Sequence, residues 1–493
     1  MKKIQGSILT LILLFLFTAC QNIEHLKPNF IFILADDLGY GELGCYGQEL
    51  IQTPNIDRLA SKGMRFTRFY SGSPVCAPSR CVLLTGLHTG HSYIRDNYEM
   101  GSFLDEEEGG QLPLPVGTRT LAKILQQNGY VSGVIGKWGL GGPGSSGIPT
   151  RQGFDFFYGY LCQKQAHNYY PTHLWKNEEW DTLRNEFFHP HQKFDGDPDD
   201  PADFNKYKGR DYSQDLMAVE ALNFIREHKD HPFFLYLPFT VPHLALQVPD
   251  EALAIYKDKF EEVPYLGEGG YLPHPTPKSV YAAMITHMDG HVGQILDLLE
   301  ELKLEENTVV MFSSDNGATF LPQVDTEFFN SHGGLRGHKG NLFEGGIRVP
   351  FIARWPRKIG EGTISNHIGG FQDILPTILD IAGVEVPEDI DGISILNELT
   401  GRDGQTDHVY LYWEYRSGGG WQAVRSDNWK ALRKEINTKP DAPIELYNLE
   451  NDFSEKFDVA AKHPEIVDKM KKIMINAREP SEYFPMAIDT INF

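Results

Sequence analysis

The sequence predicts an α/β protein with a large, mainly parallel sheet covered by helices on both faces, followed by a smaller C-terminal α+β unit. Three observations carry this reading. Apolar strand-like runs alternate with segments of helical periodicity over most of the chain. Four of those runs end in side chains that bind metal or move protons, and in open α/β sheets the ligand crevice lies beyond the carboxyl ends of the strands. Past residue 385 the pattern changes to short alternating segments of the antiparallel kind.

The elements follow in order. Lys2 and Lys3 precede an apolar stretch, Ile8 to Phe17, too short to span a bilayer and right for a signal segment. It ends in Phe17-Thr18-Ala19-Cys20, small residues before a cysteine. Residues 1–20 therefore read as a signal peptide with a lipobox-like end. Cys20 is then a site of lipidation, although Phe17 departs from the usual aliphatic residue and leaves ordinary cleavage open. The expectation is an exported protein, periplasmic or anchored to the outer membrane of a bacterium, touching membrane only through that anchor.

The run 29–35 reads as a buried strand stopping at Asp36 and Asp37, and Thr53-Pro54 starts a helix with Ile56, Leu59 and Ala60 on one face. A helix marked by Leu121, Ile124 and Leu125 stops at Asn128-Gly129, and the strand 130–136 delivers Lys137. The run 233–242 delivers His243. A long amphipathic helix with Met284, Ile285, Met288, Val292, Ile295, Leu296 and Leu299 leads into the strand 308–314, which delivers Asp315 and Asn316. After a helix containing Asp373 to Ile381 we place a boundary near Glu385. The main domain is then 28–385 and the smaller one 386–493, with strands in 408–415, 421–425, 428–433 and 441–450 and a covering helix 464–476.

Composition limits the function. A formal charge of −22 over 493 residues, with no Lys/Arg cluster, excludes nucleic acid as an expected partner. Besides Cys20 the cysteines are Cys45, Cys76, Cys81 and Cys162. They do not form a disulfide framework; a Cys45–Cys81 bridge is conceivable, and buried free thiols are the better reading. Asp36, Asp37, Asp315 and Asn316 supply hard oxygen ligands suited to Ca²⁺ or Mg²⁺, and no Cys/His cluster is read as having zinc spacing. Cys76 precedes Pro78, which fits a first helical turn, so residue 76 falls at a helix N-terminus where an anion is favoured. Arg80 lies one turn further on.

The motifs "LADDLGYG", "CAPSR" with "LLTG", "GKWGLG", "VPH", "SSDNG" and "GHKGNLFEGGIRVPFIARWP" occur in that order. In this combination the chain resembles the formylglycine-dependent type I sulfatases of the alkaline-phosphatase superfamily over about residues 28 to 385. The tail "ELYNLENDFSE" resembles their C-terminal subdomain. The resemblance implies an alkaline-phosphatase-like large mixed sheet flanked by helices, with a C-terminal subdomain on a short antiparallel sheet. It also implies that a formylglycine-generating maturation enzyme reads Cys76, Pro78 and Arg80 and oxidises Cys76 to formylglycine, an aldehyde that hydrates to a diol. Asp36, Asp37, Asp315, Asn316 and modified Cys76 would hold Ca²⁺, with Mg²⁺ the rival. Arg80, Lys137 and Lys339 would neutralise the sulfate, and His243 would protonate the leaving oxygen of a sulfated glycan.

One position departs from the pattern. Where the family carries a histidine two residues after the motif lysine, assigned to the release of sulfate, this chain has Gly139. His167 is our candidate for that base and His332 the runner-up. Substrate contacts are expected from Gln163 and His167, in an aromatic segment 154–190 that reads equally as a sugar platform or as a packed lobe beside the main sheet, and from His332 and Arg336, with Trp421 or Arg416 reaching in from the smaller domain. Asp195 to Asp203 reads as a solvated loop. The expected activity is hydrolysis of sulfate monoesters on a hexose or hexosamine of a glycan. A phosphonate or phosphodiester hydrolase of the same superfamily, or a non-catalytic sulfoglycan-binding lipoprotein, would share most of these features.

Overall fold

The computed structural model describes residues 27–104 and 107–490. The signal segment and Cys20 lie outside the described residues. The main sheet has ten strands. From one edge they run Thr363–Gly370, Met64–Tyr70, Arg348–Arg354, Thr308–Ser314, Asn29–Ala35, Phe233–Pro238, Val131–Lys137, Phe156–Tyr160, His173–Lys176 and Glu179–Thr182. The five from Thr308–Ser314 to Phe156–Tyr160 are parallel, whereas Arg348–Arg354 runs against both neighbours and the last two strands form a hairpin, so the sheet is mixed.

Asn29–Ala35 is buried at every residue, because its period-two alternation feeds two cores at once. Ile31, Ile33 and Ala35 pack on the side of the long helix Pro277–Glu301. Phe30, Phe32 and Leu34 pack on the other, with Val82, Leu83 and Leu84 of the helix Cys76–Thr85. The helix Pro54–Ser61 buries Ile56, Leu59 and Ala60, the face expected from sequence.

The C-terminal strands Leu411–Tyr415, Trp421–Ser426, Trp429–Arg433 and Ile444–Asn448 form an antiparallel sheet in chain order, and the helix Pro464–Asn476 lays Met470 and Met474 on it. Trp413 donates its indole N–H to the Ser71 carbonyl at 2.9 Å, in the loop just before Cys76. Lys430, wholly buried, bridges Glu344 and Glu455 at 2.9 Å each. These ties seat the small sheet against the loop that carries Cys76.

The aromatic segment is mostly core rather than a sugar platform. Phe154, Phe157, Tyr158, Tyr160, Tyr169 and Tyr170 are buried, because the strand Phe156–Tyr160 belongs to the main sheet and both its faces are covered. The described cysteines, Cys45, Cys76, Cys81 and Cys162, are free thiols. Among the described residues no helix is long and apolar enough to cross a membrane.

Candidate active site

Parallel strands deliver their C-terminal ends to one edge, and the chemistry gathers there. Asp36 and Asp37 follow Asn29–Ala35, Lys137 closes Val131–Lys137, and Asp315 and Asn316 follow Thr308–Ser314. His243 lies five residues beyond Phe233–Pro238. Asp37 adopts φ 67°, a left-handed turn that aspartate tolerates better than most residues. Cys76 is the first residue of the helix Cys76–Thr85, after extended Val75, with Pro78 in the first turn where no backbone donor is lost.

The side chains form one buried charge network. Lys137 Nζ stands 2.6 Å from Asp36 Oδ2 and 3.5 Å from Cys76 Sγ, and Cys76 Sγ is 3.4 Å from Asp36 Oδ1. Arg80 reaches Asp315 Oδ2 through Nε at 3.1 Å and Nη2 at 2.8 Å, and also donates to the Lys137 carbonyl. Lys339 Nζ is 2.8 Å from Asp37 Oδ2, with His243 Nε2 3.7 Å from the same oxygen. His243 Nδ1 donates to the Leu244 carbonyl, which turns Nε2 into the site.

Burial would raise the Asp36 carboxyl, but Lys137, His243, Arg80 and Lys339 together hold it well below the usual carboxylate range. Burial, then the Asp36 charge, pushes Asp315 up to about 7. One carboxylate is thus ionised at its neighbour's expense, a mark of acids crowded round one point. Burial and then Asp36 push the Cys76 thiol far above its ordinary value, so an unmodified thiol here is a poor nucleophile.

The donor set fits an oxygen-seeking cation. Ligand atoms of Asp36, Asp37, Cys76 and His243 lie within 4.8 Å of one another. Asn316 donates its Nδ2 to Asp37 Oδ1 at 2.8 Å, while its Oδ1 is buried with no partner. Such an orphan acceptor beside two carboxylates is what a cation satisfies. Asp315 Oδ1 accepts from the Asp37 N–H at 3.1 Å, and a carboxylate oxygen so engaged keeps a second lone pair.

The expected substrate residues separate into two groups. His167 stacks on His243, ring centroids 4.5 Å apart and planes 13° apart. Gln163 is buried against Gly139, its Nε2 without a partner. His332 and Arg336 instead line a separate surface hollow of about 470 Å³ with Asn330 and Lys456. Arg336 donates to the Glu455 carbonyl at 2.6 Å and lies over the Phe343 ring, so its guanidinium is committed to holding its own loop against the segment that follows Ile444–Asn448. His332 bonds Thr326 at 3.1 Å. Trp421 packs edge-on to Phe343, and Arg416 donates to the Pro485 carbonyl.

Sequence reasoning missed His191 and Tyr271. His191 Nε2 is 3.0 Å from His167 Nδ1, and the Tyr271 ring stands 5.3 Å from His167 and 5.9 Å from His243. Both lie in irregular segments with no motif to flag them. His191 Nδ1 donates to the Gly270 carbonyl, leaving its Nε2 to accept from His167 Nδ1–H. His167 therefore keeps its lone pair on Nε2.

A deep acidic cradle, a buried helix-start cysteine and three cations at one sheet edge define a hydrolase of anionic esters, and comparison with known proteins makes this specific. The profile of the sulfatase family matches residues 28–384, and that of the N-sulphoglucosamine sulphohydrolase C-terminal region matches 337–480. Human N-acetylgalactosamine-6-sulfatase is 32% identical, over 94% of this chain and 83% of its own. Human steryl-sulfatase is 30% identical, over 87% and 80%. Among solved structures, Ps i-CgsB in complex with k-i-k-neocarrahexaose superposes with a TM-score of 0.74 at 28% identity, covering 94% of this chain and 96% of that one. The chain belongs to the sulfatase family, of alkaline-phosphatase-like fold. It is a sulfuric ester hydrolase.

Proposed function

We propose that this chain removes sulfate from a hexose or hexosamine of a glycan, galactose or N-acetylgalactosamine foremost, using formylglycine made from Cys76 and a Ca²⁺ held by Asp36, Asp37, Asp315 and Asn316. The observation that supports it best is the convergence of Cys76, the three carboxylates, Lys137, Lys339 and His243 on one buried point. When present, the cation supplies Lewis-acid charge and the hydrated aldehyde an oxygen nucleophile at neutral pH. An all-oxygen protein donor set with an amide favours Ca²⁺ over the more exacting Mg²⁺.

The chain's own groups divide the remaining work. Lys137 and Lys339 face the sulfate oxygens and neutralise their charge, and Arg80, fixed on Asp315, adds a third cation. His243 turns Nε2 inward, and in its imidazolium form, which the charge of a bound anionic ester would favour against the burial and the Lys339 charge that push the ring down to about 4, it hands the Nε2 proton to the departing sugar oxygen. His167, with its lone pair on Nε2, takes up the proton set free when sulfate is released, the task that Gly139 cannot perform. The maturation enzyme must read Cys76, Pro78 and Arg80 before the chain folds, because all three are buried afterwards.

The sugar assignment draws on relatives named for N-acetylgalactosamine 6-sulfate and on a neighbour crystallised with a neocarrahexaose. The steryl-sulfatase relative names the rival class. Protein matured in a host with the formylglycine-generating system should be assayed on sulfated galactose and N-acetylgalactosamine, the same sugars phosphorylated, and aryl and steryl sulfates. Sulfated sugars should be turned over fastest. Faster turnover of a steryl, aryl or phosphate ester would refute the assignment, and tight binding of sulfated sugars without turnover would make the protein a binder.

A further inference from the structure

Away from the catalytic edge, the long helix Pro277–Glu301 carries His287 and His291, one turn apart. They meet Asp215 from the first turn of the neighbouring helix Ser213–Glu227. His287 Nε2 is 2.6 Å and His291 Nε2 3.1 Å from the same oxygen, Asp215 Oδ1. The three ligand atoms lie within 4.8 Å of one another. The sequence does not reveal this cluster, because its third member comes from another helix, 72 residues before His287.

We propose that Asp215, His287 and His291 form a second metal site, for a divalent first-row transition ion such as Zn²⁺, that clamps the two helices together. Histidines four apart on a helix turn their rings to one side. Here the rings sit 4.6 Å apart and 71° to one another, and both Nε2–H groups donate to the one Asp215 oxygen, so a bound metal ion would take the place of two imidazole protons at that point. Two imidazoles and a carboxylate suit Zn²⁺ and its neighbours and are a poor set for Ca²⁺, which wants six to eight oxygens. His291 is buried to 6% side-chain exposure and its Nδ1 has no partner, so its polar contact runs through Nε2 into the cluster. Asp215 is 43% exposed, which leaves a side open for water to complete a four-coordinate shell. The other histidine pair off the active site, His88 and His91, differs: its rings stack nearly parallel at 26°, and His88 Nε2 stays 3.5 Å from Asp391.

The clamp lies behind the catalytic histidine. Tyr212 contacts the His287 ring at 5.8 Å and stacks on Tyr169 at 5.5 Å. The Tyr169 hydroxyl donates to the carbonyls of Thr240 and His243. Fixing the two helices therefore steadies the segment that presents His243. This inference is independent of the sugar assignment.

Full-length protein saturated with Ca²⁺ should be equilibrated with Zn²⁺, freed of unbound metal, and analysed for metal content beside His291→Ala and His287→Gln. Wild type should retain one more equivalent of Zn²⁺ per chain than either variant, and Zn²⁺ should raise the Tm of wild type alone. Substituted Co²⁺ should show visible absorption that both variants lose. Any Zn²⁺ bound at the catalytic edge is common to all three proteins and cancels. Equal Zn²⁺ content in wild type and whichever variants fold would overturn the site, as would an unchanged Co²⁺ spectrum.

Discussion

A Cβ built on Gly139 would stand 2.5 Å from Gln163 Nε2, so Gln163 fills the space that a side chain at 139 would need. Gly139 also has φ 78°, which glycine adopts without cost. Gly139→His should therefore not restore the family's usual arrangement. It should lower stability by about 1–3 kcal/mol, through a strained backbone and displaced amide, and reduce turnover. Adding Gln163→Ala should recover only part, because the backbone strain stays. Thermal melts and kcat would decide it, and a Gly139→His protein as stable and active as the parent would show that Gln163 does not hold that space.

Gln163 fills the gap but its amide takes up no proton, so the base must come from elsewhere. With Nδ1–H committed to His191, His167 is the base we propose, and on that reading His167→Ala should lose roughly 10²–10⁴-fold in steady-state turnover. A rapid-mix experiment should show one equivalent of alcohol released before the reaction stalls. Weakened sugar binding with no burst would reassign His167 to recognition.

Asp315→Ala removes a carboxylate of the cradle and strands Arg80, wholly buried, beside Asp36. Metal content after dialysis should fall from one bound Ca²⁺ towards none, with activity lost. Retained Ca²⁺ at the parent's affinity would place the ion elsewhere. Chelated wild type should regain activity with Ca²⁺, and recovery with Zn²⁺ alone would rule out the oxygen cradle.

Stability should carry a pH signature from Glu42. Its carboxyl accepts from the Gly39 N–H at 2.6 Å and the Tyr281 hydroxyl at 2.8 Å, yet burial pushes it up from 4.5 to about 7. A raised acid holds its proton more tightly when folded. Its contribution is therefore full below pH 4.5 and is lost as pH rises to about 7, on the order of 3 kcal/mol at most. Glu42→Gln cannot ionise, so its stability relative to wild type should improve from pH 4.5 to 7 and then level off. Parallel curves for the two proteins would remove Glu42 from the account.

Strand ends and ordered motifs were legible in the sequence because each is local. Asp36 and Asp37 directly follow the apolar run 30–35, and Cys76 is marked by Pro78 and Arg80 within five residues. Contacts made across the fold were not. His191 reaches His167 over 24 residues, and Asp215 meets His287 over 72, with nothing in either segment to announce the partner. The aromatic run 154–190 has a composition that suits a sugar platform and a packed lobe alike, and the position of Phe156–Tyr160 inside the main sheet decides that most of it is core. Arg336 stands next to a catalytic motif in sequence, but its carbonyl partner on Glu455 lies 119 residues away and turns it from the cradle.

Formylglycine at residue 76 is the group on which the proposed reaction depends, and it is tested most directly by mass spectrometry of the tryptic peptide 69–80 from protein of known specific activity. The peptide should carry the mass of the aldehyde in place of the thiol, with specific activity rising in proportion to the converted fraction across preparations. Full activity in protein whose residue 76 is entirely an intact thiol would contradict it.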